Sequence, residues 1–206
     1  MSANEFPAVI LAGGLARRMG GGDKALLEVG GRPILDHVVD RLRPQARPLA
    51  LNANGDPARF VRYGLPVIAD TVADRPGPLA GVLAGLEWAA AEGFDGLVTV
   101  AADTPFFPKN LVEQLRAVRS QNPIALAATP HPEGGELRHP TFGLWATDLR
   151  GDLRRAIDEG TRKIVAWADH HGAASAMFAT EPFDPFFNIN TPQDRDRAEA
   201  LLAHAP

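Results

Sequence analysis

The sequence predicts an α/β fold built on a mostly parallel sheet, and two observations carry that prediction. Short apolar runs alternate along the chain with segments whose apolar residues recur at helical spacing, the pattern of strands joined by helices. The chain has 206 residues, 45% hydrophobic and 22% charged, with no linker, repeat or low-complexity tract, so residues 1–206 are expected to form one domain. A chain of this length buries roughly 70% of its unfolded surface and needs no covalent staple.

The elements follow in order. Candidate strands are Ala8–Leu11, Pro48–Asn52, Val67–Ala69, Leu97–Ala101, Ile124–Ala128, Phe142–Trp145 and Ala176–Phe178. Pro33 opens a helix with Ile34, Leu35, Val38, Val39 and Leu42 on one side, and Pro44 closes it. Leu79, Val82, Leu83, Leu86 and Ala90 form a second stripe, stopped at Gly93. Leu111, Val112, Leu115 and Val118 form a third, behind Pro108. Leu149, Leu153 and Ile157 form a fourth, with Asp148 as its expected N-cap and Gly160 beyond its end. The last helix has Thr191 as cap, Pro192 in the first turn and Asp194 three residues after the cap. Glu133-Gly134-Gly135 reads as an exposed turn.

Composition excludes several chemistries. There is no cysteine, hence no disulfide framework, thiolate metal site or cysteine nucleophile, and the expected setting is the cytoplasm. No apolar run approaches the ~20 residues that span a bilayer, and Met1–Phe6 lacks the basic and apolar regions of a secretory signal. A formal net charge of −4 argues against general nucleic-acid binding. The basic residues that matter cluster at Arg17, Arg18 and Lys24, and again at Arg162 and Lys163, which suits a small polyanion.

The first cluster lies in the run Leu11-Ala12-Gly13-Gly14-Leu15-Ala16-Arg17-Arg18-Met19-Gly20-Gly21-Gly22-Asp23-Lys24, directly after the first strand. Glycines let a backbone approach phosphate closely, and successive N–H groups make an anion-binding concavity. The run is neither a Walker A loop nor a GxGxxG fingerprint. Its residues alone fit a nucleoside triphosphate site or a glycine-rich surface turn. Asn52, Asp70 and Asp103 also end strands, and ligands in open α/β sheets bind beyond the carboxyl ends of the strands. Asp103 reads either as a helix cap or as a Mg²⁺ ligand, because Mg²⁺ takes one or two carboxylates plus phosphate oxygens. Lys24 reads as a snorkelling surface lysine or as a point charge on phosphate. Asn52 and Asp70 can simply end strands in side-chain turns, and Gly77 and Gly81 can simply bend a loop. Asn188 and Asn190 alternate along an extended segment and so point the same way, at a polar edge or into a site. His170-His171 reads as surface decoration.

Read together, LAGG…RRMGG.DK, Leu51-Asn52-Ala53-Asn54, Val67-Ile68-Ala69-Asp70, Pro76-Gly77-Pro78-Leu79-Ala80-Gly81, Ala102-Asp103-Thr104-Pro105 and Asn188-Ile189-Asn190-Thr191-Pro192 resemble the molybdenum cofactor guanylyltransferases, the MobA family, from about Ala8 to Leu202. The resemblance implies a Rossmann-like, three-layer nucleotidyltransferase fold with helices on both faces of the sheet. Its N-terminal half would bind nucleotide and its C-terminal half the acceptor. It implies transfer of GMP from GTP to the terminal phosphate of molybdenum-molybdopterin. Leu11, Ala12, Gly13, Gly14, Lys24, Asn52, Asp70, Gly81 and Asp103 would meet GTP. Asp103 would hold Mg²⁺, and Lys24 with Arg18 would act on the phosphates. His139, Arg162, Lys163, Asn188 and Asn190 would serve the acceptor, although a solvated helix start equally explains Arg162-Lys163. Related cytidylyltransferases carry Leu-Ala-Ala-Gly where this chain has Leu11-Ala12-Gly13-Gly14, so the resemblance favours guanine. It also implies transient contacts with other proteins of cofactor biosynthesis, and neither nucleic acid nor membrane as partner. The competing readings are a molybdopterin cytidylyltransferase, a sugar-phosphate nucleotidyltransferase and a catalytically inactive GTP-binding module.

Overall fold

The structure, a computed structural model, describes residues 6–13, 23–72 and 77–202. In chain order the elements are β1 (Ala8–Leu11), β2 (Glu28–Val29), β3 (Arg32–Pro33), α1 (Ile34–Leu42), β4 (Leu49–Asn52), β5 (Val67–Ile68), α2 (Pro78–Ala91), β6 (Gly96–Ala101), α3 (Leu111–Arg119), β7 (Ile124–Pro130), β8 (Glu136–Ala146), α4 (Arg150–Asp158), α5 (Ile164–His170), β9 (Ala174–Met177) and α6 (Pro192–Leu202). Seven strands form one sheet in the order β5-β4-β1-β6-β8-β7-β9, in which only β8 runs against the rest. The expected mostly parallel sheet is therefore present.

Strand alternation sorts the core into two layers. Ala8, Ile10, Leu49, Leu51, Val98 and Val100 pack with α1, α3 and Ala198 of α6 on one face. Val9, Ala50 and Leu97 pack with α2, α4 and α5 on the other. Thr99, the one polar residue within the β6 run, is fully buried and accepts a hydrogen bond from Trp145 Nε1 at 2.8 Å. That bond removes the cost of burying two polar groups. Helix α2 comes close to the sheet through Gly81 and Gly85, one turn apart. A Cβ at Gly85 would stand 2.7 Å from Leu97 Cδ2 and 3.2 Å from Val9 Cγ2.

The last helix begins as its sequence indicates. Asp194 N–H donates to Thr191 Oγ1 at 3.1 Å, while Asp194 Oδ2 accepts from the N–H groups of Asn190 and Thr191 at 2.9 Å each. Desolvation pushes the Asp194 carboxyl up, but these donors outweigh it and hold the group below the usual aspartate range. Asp148, by contrast, caps nothing. A 3₁₀ turn at Thr147–Leu149 leads into α4, and Thr147 Oγ1 is tied to Phe94 O at 2.8 Å. His171 is more than decoration. It packs 4.7 Å from the Trp167 ring, and its Nε2 stands 2.8 Å from Asp152 Oδ2.

Two features were not anticipated. Gly30 and Gly31, with φ of 61° and 73°, make a two-residue turn between β2 and β3, the left-handed geometry a tight hairpin demands. Strand β8 also extends back to Glu136, where its half-exposed residues pair with the end of β7 rather than entering the core. No helix among the described residues is long and apolar enough to cross a membrane.

Candidate active site

Strands β1, β4, β5 and β6 end on one edge of the sheet, and a cavity of about 480 Å³ opens there. Leu11, Gly13, Asp23, Asn52, Asp70 and Asp103 are among the residues that line it, with Gly77 and Pro78 at the start of α2. The positive end of the α2 dipole therefore faces this space. Gly14, Arg17, Arg18 and Pro76 lie outside the described residues.

Two groups of side chains meet at this edge; of the first, Asp103 and Asn188 line the cavity, whereas Lys24 and Asn190, like Ala12, do not. In the first, Lys24 Nζ donates to Asp103 Oδ2 at 2.5 Å, across 79 residues of sequence, and also to Asn190 Oδ1. Asp103 Oδ1 accepts from Thr104 Oγ1 at 3.0 Å, and the same hydroxyl contacts Asn188 Oδ1. The segment carrying both asparagines is anchored by Ile189, whose side chain is fully buried and whose N–H donates to Asp103 O at 3.0 Å. Alternation then aims Asn188 and Asn190 at the same group, as the sequence indicates. Helix α3 begins only at Leu111, so Asp103 caps no helix, and its carboxylate is left to Lys24 and Thr104.

In the second group, Asn52 Nδ2 donates to Asp70 Oδ1 at 3.0 Å, and Asn54 Nδ2 donates to Asp70 Oδ2 at 2.7 Å. Asn54 Oδ1 accepts the Asp70 N–H at 3.0 Å. Both carboxylate oxygens are thus oriented, with acceptor capacity to spare. Gly81 does not line the cavity. A Cβ there would stand 2.3 Å from Asn52 Oδ1 and 2.9 Å from Leu11 Cδ2, so its role is to let α2 press against the buried Asn52. Gly81→Ala should displace Asn52 and loosen Asp70, weakening nucleotide binding by about tenfold. Calorimetric titration measures this, and wild-type affinity in the variant would contradict it.

Three expected acceptor residues stand elsewhere. His139 stacks on Phe186 with centroids 4.2 Å apart, and its Nε2 lies 3.0 Å from Thr129 Oγ1. Burial pushes its pKa down and favours the neutral ring, and the opposing charge of Asp184 only partly offsets this. Arg162 donates to Ile157 O and Thr161 O, and with Lys163 it is exposed on the turn between α4 and α5. None of the three lines the cavity. Sequence reasoning missed Asn54, Arg59 and Thr141, which do. Asn54 sits inside a motif already noted and Thr141 closes the His139-Pro140-Thr141 segment that resembles the family, whereas Arg59 follows no recognisable pattern.

Comparison with known proteins identifies the family and the fold. Residues 8–174 match the profile of the MobA-like NTP transferase domain. The chain is 49% identical over 198 residues to a molybdenum cofactor guanylyltransferase of Nitrobacter hamburgensis, covering 95% of this chain and 93% of that protein. It is 51% identical over 200 residues to one from Rhodopseudomonas palustris, with the same coverages. Among solved structures, molybdopterin-guanine dinucleotide biosynthesis protein A from Archaeoglobus fulgidus superposes with a TM-score of 0.72 at 25% identity, over 97% of this chain and 100% of that one. The 2-C-methyl-D-erythritol 4-phosphate cytidylyltransferase of Thermus thermophilus shares the fold, with a TM-score of 0.71 at 23% identity over 97% and 99% of the two chains. With the motifs, the sheet and the relatives in agreement, the chain belongs to the MobA-like nucleotidyltransferases, in the family of the molybdenum cofactor guanylyltransferases.

Proposed function

We propose that this chain transfers GMP from GTP to the terminal phosphate of molybdenum-molybdopterin, forming the guanine dinucleotide cofactor and releasing pyrophosphate. The observation that supports this most is the meeting of Lys24 and Asp103 at the edge where the cavity opens. A phosphate monoester has its second pKa near 6, so the acceptor is already a nucleophile at neutral pH. Its oxygen attacks the α-phosphorus of GTP. The bond from that phosphorus to the bridging oxygen breaks, and pyrophosphate departs with the electron pair. No general base is needed, and the work falls to positioning and charge stabilisation.

Lys24 is the cation for the departing phosphates, with Arg18 as its proposed partner. Leu11, Ala12, Gly13 and Gly14 form the start of the phosphate-binding turn. Asp103 is the residue that would hold Mg²⁺. The fit rests on its donor set, a single hard carboxylate beside the cavity with hydroxyl and amide oxygens around it, which leaves phosphate oxygens to complete the shell. Bound there, Mg²⁺ would supply charge neutralisation at the phosphates. Asn188 and Asn190 would hold Thr104 and Lys24 in place on the acceptor side.

Asp70, fixed by Asn52 and Asn54, offers acceptor oxygens to the adjacent N–H donors of guanine. Gly13 contributes room, since a Cβ there would project into open space in the cavity wall. The expected result is a larger thermal shift with GTP and Mg²⁺ than with CTP or ATP, followed by pyrophosphate release once molybdopterin is added. Equal or tighter CTP binding would overturn the base assignment, and GTP binding without turnover would point to a binding module. The proposed setting is the cytoplasm, with the acceptor handed over by other proteins of cofactor biosynthesis and with no nucleic acid or membrane involved.

A further inference from the structure

Arg59 lies on the 3₁₀ segment Pro57–Tyr63 after β4, a segment started by Asp56, whose Oδ1 accepts from Ala58 N–H at 2.9 Å. It lines the cavity and reaches in two directions. Its Nη2 donates to Asn54 O at 2.6 Å, and Asn54 is the residue that grips Asp70 with both ends of its amide. Its Nε stands 2.7 Å from Asp23 Oδ2, and Asp23 immediately precedes Lys24. That ion pair is close but its N–H is misaligned. Arg59 Nε is the one buried side-chain nitrogen or oxygen without a hydrogen bond among the described residues. The approach is also tight at Gly55, where φ is +87° and a Cβ would stand 3.1 Å from Arg59 Nη1. One guanidinium therefore joins the wall around Asp70 to the stretch that carries Lys24. A planar fork holds a carbonyl and a carboxylate at once, which a lysine ammonium on its flexible stem does not do in the same geometry.

We propose that Arg59 is a positioning residue for the triphosphate. Through Asp23 it sets where Lys24 stands relative to the Asn54–Asp70 wall, so that base and phosphates are held in register. The inference rests on the nucleotide reading above and adds a residue that touches Lys24 only through its neighbour.

The test titrates the wild-type chain, Arg59→Gln, Arg59→Lys, Asp23→Asn and the Arg59→Gln/Asp23→Asn double variant with GTP, GDP and GMP in the presence of Mg²⁺. Arg59→Gln should lose about tenfold in GTP affinity, less for GDP and least for GMP, because what moves is the lysine that meets the outer phosphates. Asp23→Asn should reproduce that pattern, and the double variant should be no worse than the poorer single one, as expected when both mutations break one link. Arg59→Lys, which keeps the charge without the fork, should not restore wild-type GTP affinity. Equal losses for all three nucleotides, additive effects in the double variant, or unchanged GTP affinity in Arg59→Gln would each overturn the proposal. Should Arg59→Gln fail to fold, Asp23→Asn carries the same comparison. The underlying reading fails separately. If the wild-type chain prefers CTP, the base assignment falls and Arg59 is judged on CTP, CDP and CMP. If it binds no nucleoside triphosphate, both fall.

Discussion

Asp103→Asn should lower turnover by about 10³-fold or more while weakening GTP binding by less than tenfold. The substitution keeps the shape of the side chain and the contact with Thr104, but removes the charge that faces Lys24. GTP keeps the Asn52–Asn54–Asp70 wall and the α2 terminus, which lie in other parts of the chain. Turnover needs charge compensation at the reacting phosphates, and that is what a neutral amide cannot provide. Pyrophosphate release with molybdopterin, set beside calorimetric GTP binding, separates the two effects. Full activity in the variant would remove Asp103 from the mechanism.

Lys24→Ala should fall nearly as far, by about 10²- to 10³-fold in turnover, the usual cost of deleting one preorganised charge from a reacting oxyanion. Its signature differs from that of Asp103→Asn. Loss of the ammonium leaves Asp103 and Asn190 without the donor they share, so GTP affinity should drop along with turnover. Lys24→Arg should rescue little, because the planar guanidinium does not reproduce a compact ammonium held between a carboxylate and an amide oxygen. Parallel measurement of turnover and GTP affinity decides the matter. A variant retaining wild-type values for both would show that Lys24 is only a counter-ion in the unliganded chain.

The helices and buried strands were legible because periodicity records burial. Ile34–Leu42 carries an apolar stripe bounded by prolines and forms where expected, whereas Pro78–Ala91, buried on every side from Leu79 to Leu86, shows through its long apolar run and its proline and glycine bounds. The α6 start was legible because Thr191, Pro192 and Asp194 each have a distinct local job there. Helix α5 was missed, since seven residues are too few to display a period. The first half of β8 was missed because Glu136–Thr141 is exposed or only half-buried and shows no apolar alternation. Asp148 looked like a cap, but a 3₁₀ turn intervened. In the site, Asp103 and Asn52 were visible as polar residues closing apolar runs. Arg59 was not, because it reaches Asp23 only once Pro57–Tyr63 folds back toward it, a tertiary contact no local pattern announces.

The reversed direction of β8 places a strand start, and the loop that feeds it, among strand ends. Every other sheet strand finishes at the edge where GTP is proposed to bind, whereas β8 starts there, fed by the hairpin tip at Gly134 and Gly135. That tip can lengthen, shorten or change composition without shifting β1, β4 or β6, because a surface loop absorbs such change and a doubly paired strand does not. The tip is thus free to vary while the strands that end at the cavity stay in place. This agrees with the sharing of one scaffold by proteins named for molybdopterin and for methylerythritol chemistry.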